Sequence, residues 1–142
     1  MKTAFQVRGL ATINFYAVDH EGAKKWYSEL FGMAPYFSVP GYFEFRLGDY
    51  QQELGFIDAR YAPGAIPEKP AGEIAYWHVD DLEASLQHLV DHGAKLHLPV
   101  TDHSGGKGNF VTASVTDPFG NIFGIMTNRH YLDIFEENQK NK

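Results

Sequence analysis

The sequence predicts an α+β protein built from two tandem βαβββ modules, and three observations carry that prediction. A stretch of the chain is written twice, each copy reads as a strand followed by a helix, and three short strand candidates follow each helix. "INFYAVDHEGAKKWYSELFG" (Ile13 to Gly32) and "IAYWHVDDLEASLQHLVDHG" (Ile74 to Gly93) superpose without a gap at an offset of 61 residues. The copies share Ile13/Ile74, Val18/Val79, Asp19/Asp80, Ala23/Ala84 and Gly32/Gly93, and pair aromatics at Phe15/Tyr76 and Tyr16/Trp77.

Taken in order, residues 12–18 alternate, with Ile13, Phe15 and Ala17 on one face and Thr12, Asn14 and Tyr16 on the other, as a half-buried strand does. Ala23, Trp26, Tyr27, Leu30 and Phe31 then recur at helical spacing, and Gly32 supplies a left-handed stop. "APYFSV", "YFEFRL" and "ELGFI" are the strands that follow. By parity Phe43, Phe45, Leu47, Leu54 and Phe56 turn to the helix, leaving Tyr42, Glu44, Arg46, Glu53, Gly55 and Ile57 on the opposite face.

The second copy repeats this logic. Leu82, Leu86, Leu89 and Val90 form the helical stripe, ending at Gly93, and "KLHLPV", "NFVTASV" and "IFGIM" are its strands. Ala75, Trp77 and Val79 turn to the helix, so Ile74, Tyr76, His78, Thr112, Ser114, Ile122, Gly124 and Met126 share the other face. The first module spans about 10–58, a Pro/Gly/Ala-rich linker about 59–72, and the second module about 73–128, before a short terminal helix and frayed polar tail over 129–142.

Composition narrows the function classes. At 142 residues the chain is one domain of ordinary size, and with no cysteine it offers no thiol nucleophile, disulfide or cysteine-held zinc. Twelve basic against eighteen acidic side chains, a net charge of -6, argue against a nucleic-acid partner. No run approaches the roughly 20 apolar residues of a membrane span. "MKTAFQVRGL" lacks the apolar core of a secretory signal, so a cytoplasmic address is expected. Aromatics at 15% suit pockets for small flat or greasy molecules.

The paired pattern, with "AVDHEGAKKWYSELFG" in one half and "HVDDLEASLQHLVDHGAKL" and "DPFGN" in the other, resembles the vicinal oxygen chelate (VOC) superfamily over about Leu10 to Asn128. That superfamily includes glyoxalase I, extradiol dioxygenases, methylmalonyl-CoA epimerases, and the fosfomycin and bleomycin resistance proteins. The resemblance implies an open, half-closed barrel around a cavity, a homodimer, and in catalytic members a divalent metal held by histidines and glutamates. One ligand would lie early in the first strand of each module and one in its last strand. Carried over residue by residue, those positions fall on Thr12, Gly55, Ile74 and Gly124. Glycine has no side chain to ligate with, so no metal ligand is assigned, and the empty positions are expected to widen the cavity. A gapless repeat alignment would replace Ile74 with Glu73.

The expected ligand-binding residues are Asn14, Tyr16, Tyr42, Arg46, Glu53, Tyr76, His78, Thr112, Ser114 and Met126, and the candidate catalytic residues are His78 and Glu44. His78 is open to four readings: general base, metal ligand, hydrogen bonder to a guest, or a hydrogen-bonded histidine without chemistry. Glu44 and Arg46 either tune an acid or base or simply neutralise each other. His88 and His92 have the spacing of a zinc pair on a helix, with solvated surface as the competing reading. His20, His97, His103 and His130 are expected in loops or at strand ends, and "SGGKGN" as a mobile hairpin turn.

Two function classes follow. The first is a bleomycin-resistance-like protein binding a small aromatic or amphipathic molecule with no cofactor. The alternative is a metal-dependent lyase, isomerase or dioxygenase whose ligands have moved to His78, Glu44 or Glu53. An enzyme without metal, using Glu44 or His78 as its base, is a third reading.

Overall fold

The alternation that begins at Thr12 becomes strand β1 (Thr12–Ala17) in a computed structural model that describes residues 5, 8–70 and 72–142. The Asp19 carboxylate accepts the Gly22 N–H at 3.0 Å and starts helix α1 (His20–Phe31). Gly32 ends it in the left-handed region at φ 66°, where a side chain would be strained. Strands β2 (Phe37–Val39), β3 (Tyr42–Leu47) and β4 (Gln52–Asp58) complete a sheet of order β1-β4-β3-β2, in which β1 runs parallel to β4 and the other pairs are antiparallel.

Register decides what each face of this sheet carries. Phe43, Phe45, Leu54 and Phe56 are fully buried on the helix side, against Tyr27 and Ala23 of α1. Phe56 is the hub: its ring lies 4.4 Å from that of Tyr27 and stacks on Phe43 at 4.8 Å. Burying a side chain of this size contributes about 1.5–3 kcal/mol.

The chain divides into two compact units, one ending at Ile66 and the other beginning at Pro67. The second contains β5 (Tyr76–His78), α2 (Leu82–Asp91), β6 (Lys95–Asp102), β7 (Phe110–Thr116), β8 (Ile122–Asn128) and α3 (Arg129–Lys140). Its sheet order, β5-β8-β7-β6, reproduces that of the first, again with one parallel pair, β5 with β8. Leu82 and Leu89 of α2 and Ala113, Val115, Phe123 and Ile125 of the sheet form its core. Before β8, Asp117 gathers the turn: its carboxylate accepts the N–H groups of Phe119 (2.9 Å) and Asn121 (2.8 Å) and the Asn121 side-chain amide (3.0 Å). "DPFGN" is thus a turn held by its own aspartate, with Gly120 at φ 91°.

Several expectations are corrected here. Asp81, not Asp80, caps α2 by accepting the Ala84 N–H, so the modules correspond at an offset of 62 through their first strands and helix starts. Asn14 and Tyr76 then occupy equivalent places, each paired with the mid-strand glycine of its sheet, Gly55 and Gly124. Ile74, as first assigned, and not the alternative Glu73, matches Thr12 in this correspondence. The gapless match fails because α1 has 12 residues and α2 has 10, so helix starts and ends cannot both coincide. Val90 is 40% exposed and lies off the apolar stripe.

Histidines move as well. His20 opens α1, is buried, and donates from Nε2 to the Phe56 carbonyl at 2.9 Å; His97 lies within β6 and His130 within α3. The terminal helix runs to Lys140, and the linker begins as a 3-10 turn at Ala59–Tyr61. Asp58 caps that turn and binds the Arg60 guanidinium at 2.8 Å, which holds its carboxyl below the usual carboxylate range.

Candidate functional site

In the first unit the sheet face away from α1 is built in rows by strand register. One row runs Thr12, Glu53, Arg46; the next Asn14, Gly55, Glu44, Phe37; the third Tyr16, Ile57, Tyr42, Val39. Asn14, Tyr16, Tyr42, Glu44, Arg46 and Glu53, named from parity alone, therefore share one surface.

Their contacts make a polar network. The Tyr42 hydroxyl leans diagonally to donate to Glu44 Oε1 at 2.9 Å. Burial pushes its pKa up to about 12, helped by that hydrogen bond and by the charges of Glu44 and Glu53, while a Thr12 hydrogen bond acts in the opposite sense. Arg46 lies 3.9 Å from Glu53, and its guanidinium sits over the Tyr36 ring at 3.7 Å. Sequence reading missed Tyr36. It precedes β2, yet its N–H donates to the Glu44 carbonyl and extends the β2–β3 pairing by one step. The available signal was the aromatic pair "YF" opening a strand candidate beside "EFR".

The second unit has the same arrangement of rows but a different surface. Tyr76, Gly124, Ser114 and Leu98 form one row, and His78, Met126, Thr112 and Thr101 the next. Ile122, Met126 and Ser114 are buried, and Ser114 Oγ finds no hydrogen-bond partner among the described residues. His78 is covered within its own unit: its ring stacks on Tyr131 of α3 at 4.7 Å and 8°. Its Nδ1 accepts the Asn128 backbone N–H at 3.1 Å, so the neutral ring carries its proton on Nε2. That Nε2 has no hydrogen-bond partner among the described residues; a carboxylate oxygen of Asp80 lies 3.8 Å away.

The loop after β6, expected to be a mobile turn, is cinched by Asp102. Its carboxylate accepts the N–H groups of Ser104 (2.8 Å) and Gly108 (3.1 Å) and the Ser104 hydroxyl, which keep it below its usual range. His103 beside it contacts the Thr112 hydroxyl at 3.0 Å.

The positions that the VOC resemblance gives to metal ligands do not fit a metal. Thr12, Gly55, Ile74 and Gly124 supply one hydroxyl and no imidazole or carboxylate. Nor are the glycines vacancies, as had been expected. A Cβ on Gly55 would meet the Tyr42 hydroxyl and, at 2.7 Å, Asn14 Oδ1, while one on Gly124 would meet Tyr76 Cδ1 at 2.7 Å, the Ala75 carbonyl at 2.8 Å and Ile74 Cγ2 at 2.9 Å. Each glycine serves close approach of neighbouring groups rather than an opening. Among the described residues, no three histidine, aspartate or glutamate side chains are grouped to hold a metal ion, and no helix is long and apolar enough to cross a membrane.

Comparison with known proteins agrees with this architecture. No curated protein matches the chain significantly. A glyoxalase-related enzyme from Fulvimarina pelagi is 22% identical, with a TM-score of 0.66 over 86% of this chain and 89% of that one. A glyoxalase/bleomycin resistance protein/dioxygenase from Nocardioides is 16% identical, with a TM-score of 0.63 over 87% and 85%. A glyoxalase/bleomycin resistance protein from Catenulispora acidiphila is 19% identical, with a TM-score of 0.58 over 84% and 98%. The family model for the Glyoxalase/Bleomycin resistance protein/Dioxygenase superfamily matches residues 9–125, and with its two βαβββ modules the chain belongs to that superfamily.

Proposed function

We propose that the chain binds a small aromatic or amphipathic molecule on the polar sheet face of its first module, without the metal of the superfamily's catalytic members. The observation that carries this reading is the network over Gly55. Tyr42, Glu44, Arg46, Glu53 and Asn14 gather donors and acceptors on one half-exposed face, and aromatic rings of Tyr36, Phe37 and Tyr42 lie beside them. Apolar walls with a few fixed polar groups are what small-molecule sites use for affinity and orientation. Glu44 offers its second carboxylate oxygen to a guest, and Tyr42 stays a neutral donor across the physiological range.

Mass spectrometry of the native protein and a screen of aromatic and amphipathic compounds test the reading. Glu44→Gln and Arg46→Ala should each weaken binding about tenfold, the loss of one charged contact, with the fold intact. Binding unaffected by both substitutions would overturn the site. About one tightly held divalent ion per chain, in protein purified without added metal, would overturn the metal-free reading and favour a lyase, isomerase or dioxygenase with moved ligands.

A further inference from the structure

One pair of histidines is used by neither sheet face. His88 and His92 stand four residues apart at the end of α2, and the His92 N–H donates to the His88 carbonyl at 3.0 Å. The turn between them is therefore α-helical, and their Cβ atoms stand one above the other on a single side. The two rings are parallel to within 7°, with centroids 6.5 Å apart. His88 is exposed and His92 half-buried, while the buried residues of α2, Leu82 and Leu89, occupy the apolar stripe. Asp91, the carboxylate between the two in sequence, is held by Gln87 at 2.7 Å.

The electrostatics favour a cation here. The α2 sequence "LEASLQHLVD" contains Glu83 and Asp91 and no lysine or arginine. The pair also lies on the last turn, where unpaired carbonyls collect the partial negative charge of the helix. Neutral imidazoles are borderline donors that suit nickel, copper and zinc rather than magnesium or calcium.

We propose that His88 and His92 form a two-imidazole site for a transition-metal dication, with water in the remaining coordination positions. Imidazoles at i and i+4 on one side of a helix have the spacing of the paired histidines of zinc-binding helices, and chelation requires each ring to turn one nitrogen toward the metal at roughly 2.0–2.1 Å. The site lies on α2 and uses none of the positions that the VOC resemblance gives to metal ligands. Its physical effect is a clamp across the last turn of α2, which stabilises the folded chain by mass action when the metal is bound.

Calorimetric titration of the metal-free, full-length protein with Ni²⁺, together with thermal unfolding, tests this. Wild type should take up one Ni²⁺ per chain and melt at a higher temperature with it. His88→Gln and His92→Gln should each weaken binding about tenfold or more, and the double variant should be no worse than either single one, because two donors of one chelate fail together. Affinity should rise from Zn²⁺ or Ni²⁺ to Cu²⁺, with Mg²⁺ much weaker than all three. Wild-type Ni²⁺ affinity in either single variant, or Mg²⁺ binding as tight as Ni²⁺, would overturn the proposal. Exposed His88→Gln decides the question alone if His92→Gln proves unstable.

Discussion

The two modules share strand order, pairing sense and helix placement, yet spend their residues differently. In the first, the helix side of the sheet is aromatic, with Tyr27, Phe43, Phe45 and Phe56 fully buried, and the other face is polar and half-exposed. In the second, the helix side mixes one aromatic pair, Phe123 stacked on Trp77, with Ala113, Val115 and Ile125, and on the other face Ser114, Ile122, Gly124 and Met126 are buried while Tyr76 and Leu98 are exposed. One topology thus supports two divisions of labour, an aromatic cluster beneath a chemically open face and a mixed core whose opposite face buries part of its own side chains. The polar face of the first module is affordable because large rings on the other side do most of the holding.

That contrast breaks first at the core. Phe56→Ala removes a ring that contacts Phe15, Tyr27, Phe43 and Phe45, and should cost about 3–5 kcal/mol in urea unfolding. Ile125→Val, in the corresponding layer of the second module, should cost about 1 kcal/mol. Equal losses would mean that the aromatic cluster is not the dominant support. The mid-strand glycines separate the modules next. At Gly124 a new methyl meets the Ala75 backbone carbonyl, which cannot swing aside, whereas at Gly55 it meets only the ends of the Tyr42 and Asn14 side chains. Gly124→Ala should therefore destabilise by about 2–3 kcal/mol and Gly55→Ala by about 1 kcal/mol. The reverse order would contradict the close approach that explains Gly124.

How far these features are legible in the sequence follows from what sets them. Strand faces are local, with a period of two, so Tyr42, Glu44 and Arg46 could be placed together with Phe43 and Phe45 opposite them. "DPFGN" was legible as a turn because its aspartate and glycine act on their own backbone. The fillings over Gly55 and Gly124 were not legible, since they depend on how the Tyr42 side chain leans toward the neighbouring strand and on Asn14 and Tyr76, which come from strands distant in sequence from those glycines. The same holds for Tyr131 on His78, a contact between the end of the chain and a strand some fifty residues earlier. The repeat register stayed open between two offsets for a subtler reason. Val79-Asp80 imitates Val18-Asp19, and only the hydrogen bond to Ala84 shows that Asp81 is the cap.

The offset has its own test, smaller in size. Asp19→Ala and Asp81→Ala each remove an N-cap and should cost about 1 kcal/mol apiece, the same in both modules. Asp80→Ala, whose side chain is 98% exposed, should stay within about 0.5 kcal/mol of wild type. Thermal unfolding of the three variants distinguishes the registers, because a loss at Asp80 with none at Asp81 restores the offset of 61.

The smallest effect is invisible at neutral pH and sharpens the chemistry of the open face. Tyr42 has its pKa pushed up to about 12 from an ordinary 10.0, first by burial and then by donation to Glu44 beside the charges of Glu44 and Glu53. The neutral phenol is the form the fold favours, so its contribution to stability is fully present below about pH 10 and is lost as pH rises through about 12. Phenolate absorbance should show that Tyr42→Phe deletes a component titrating well above the ordinary tyrosine range. In Glu44→Gln the same component should move down only part of the way, since burial, the first cause, is unchanged. If the component deleted with Tyr42 instead titrates near pH 10, the hydroxyl does not face Glu44 in solution, and the polar network over Gly55 loses the bond on which the proposed site is built.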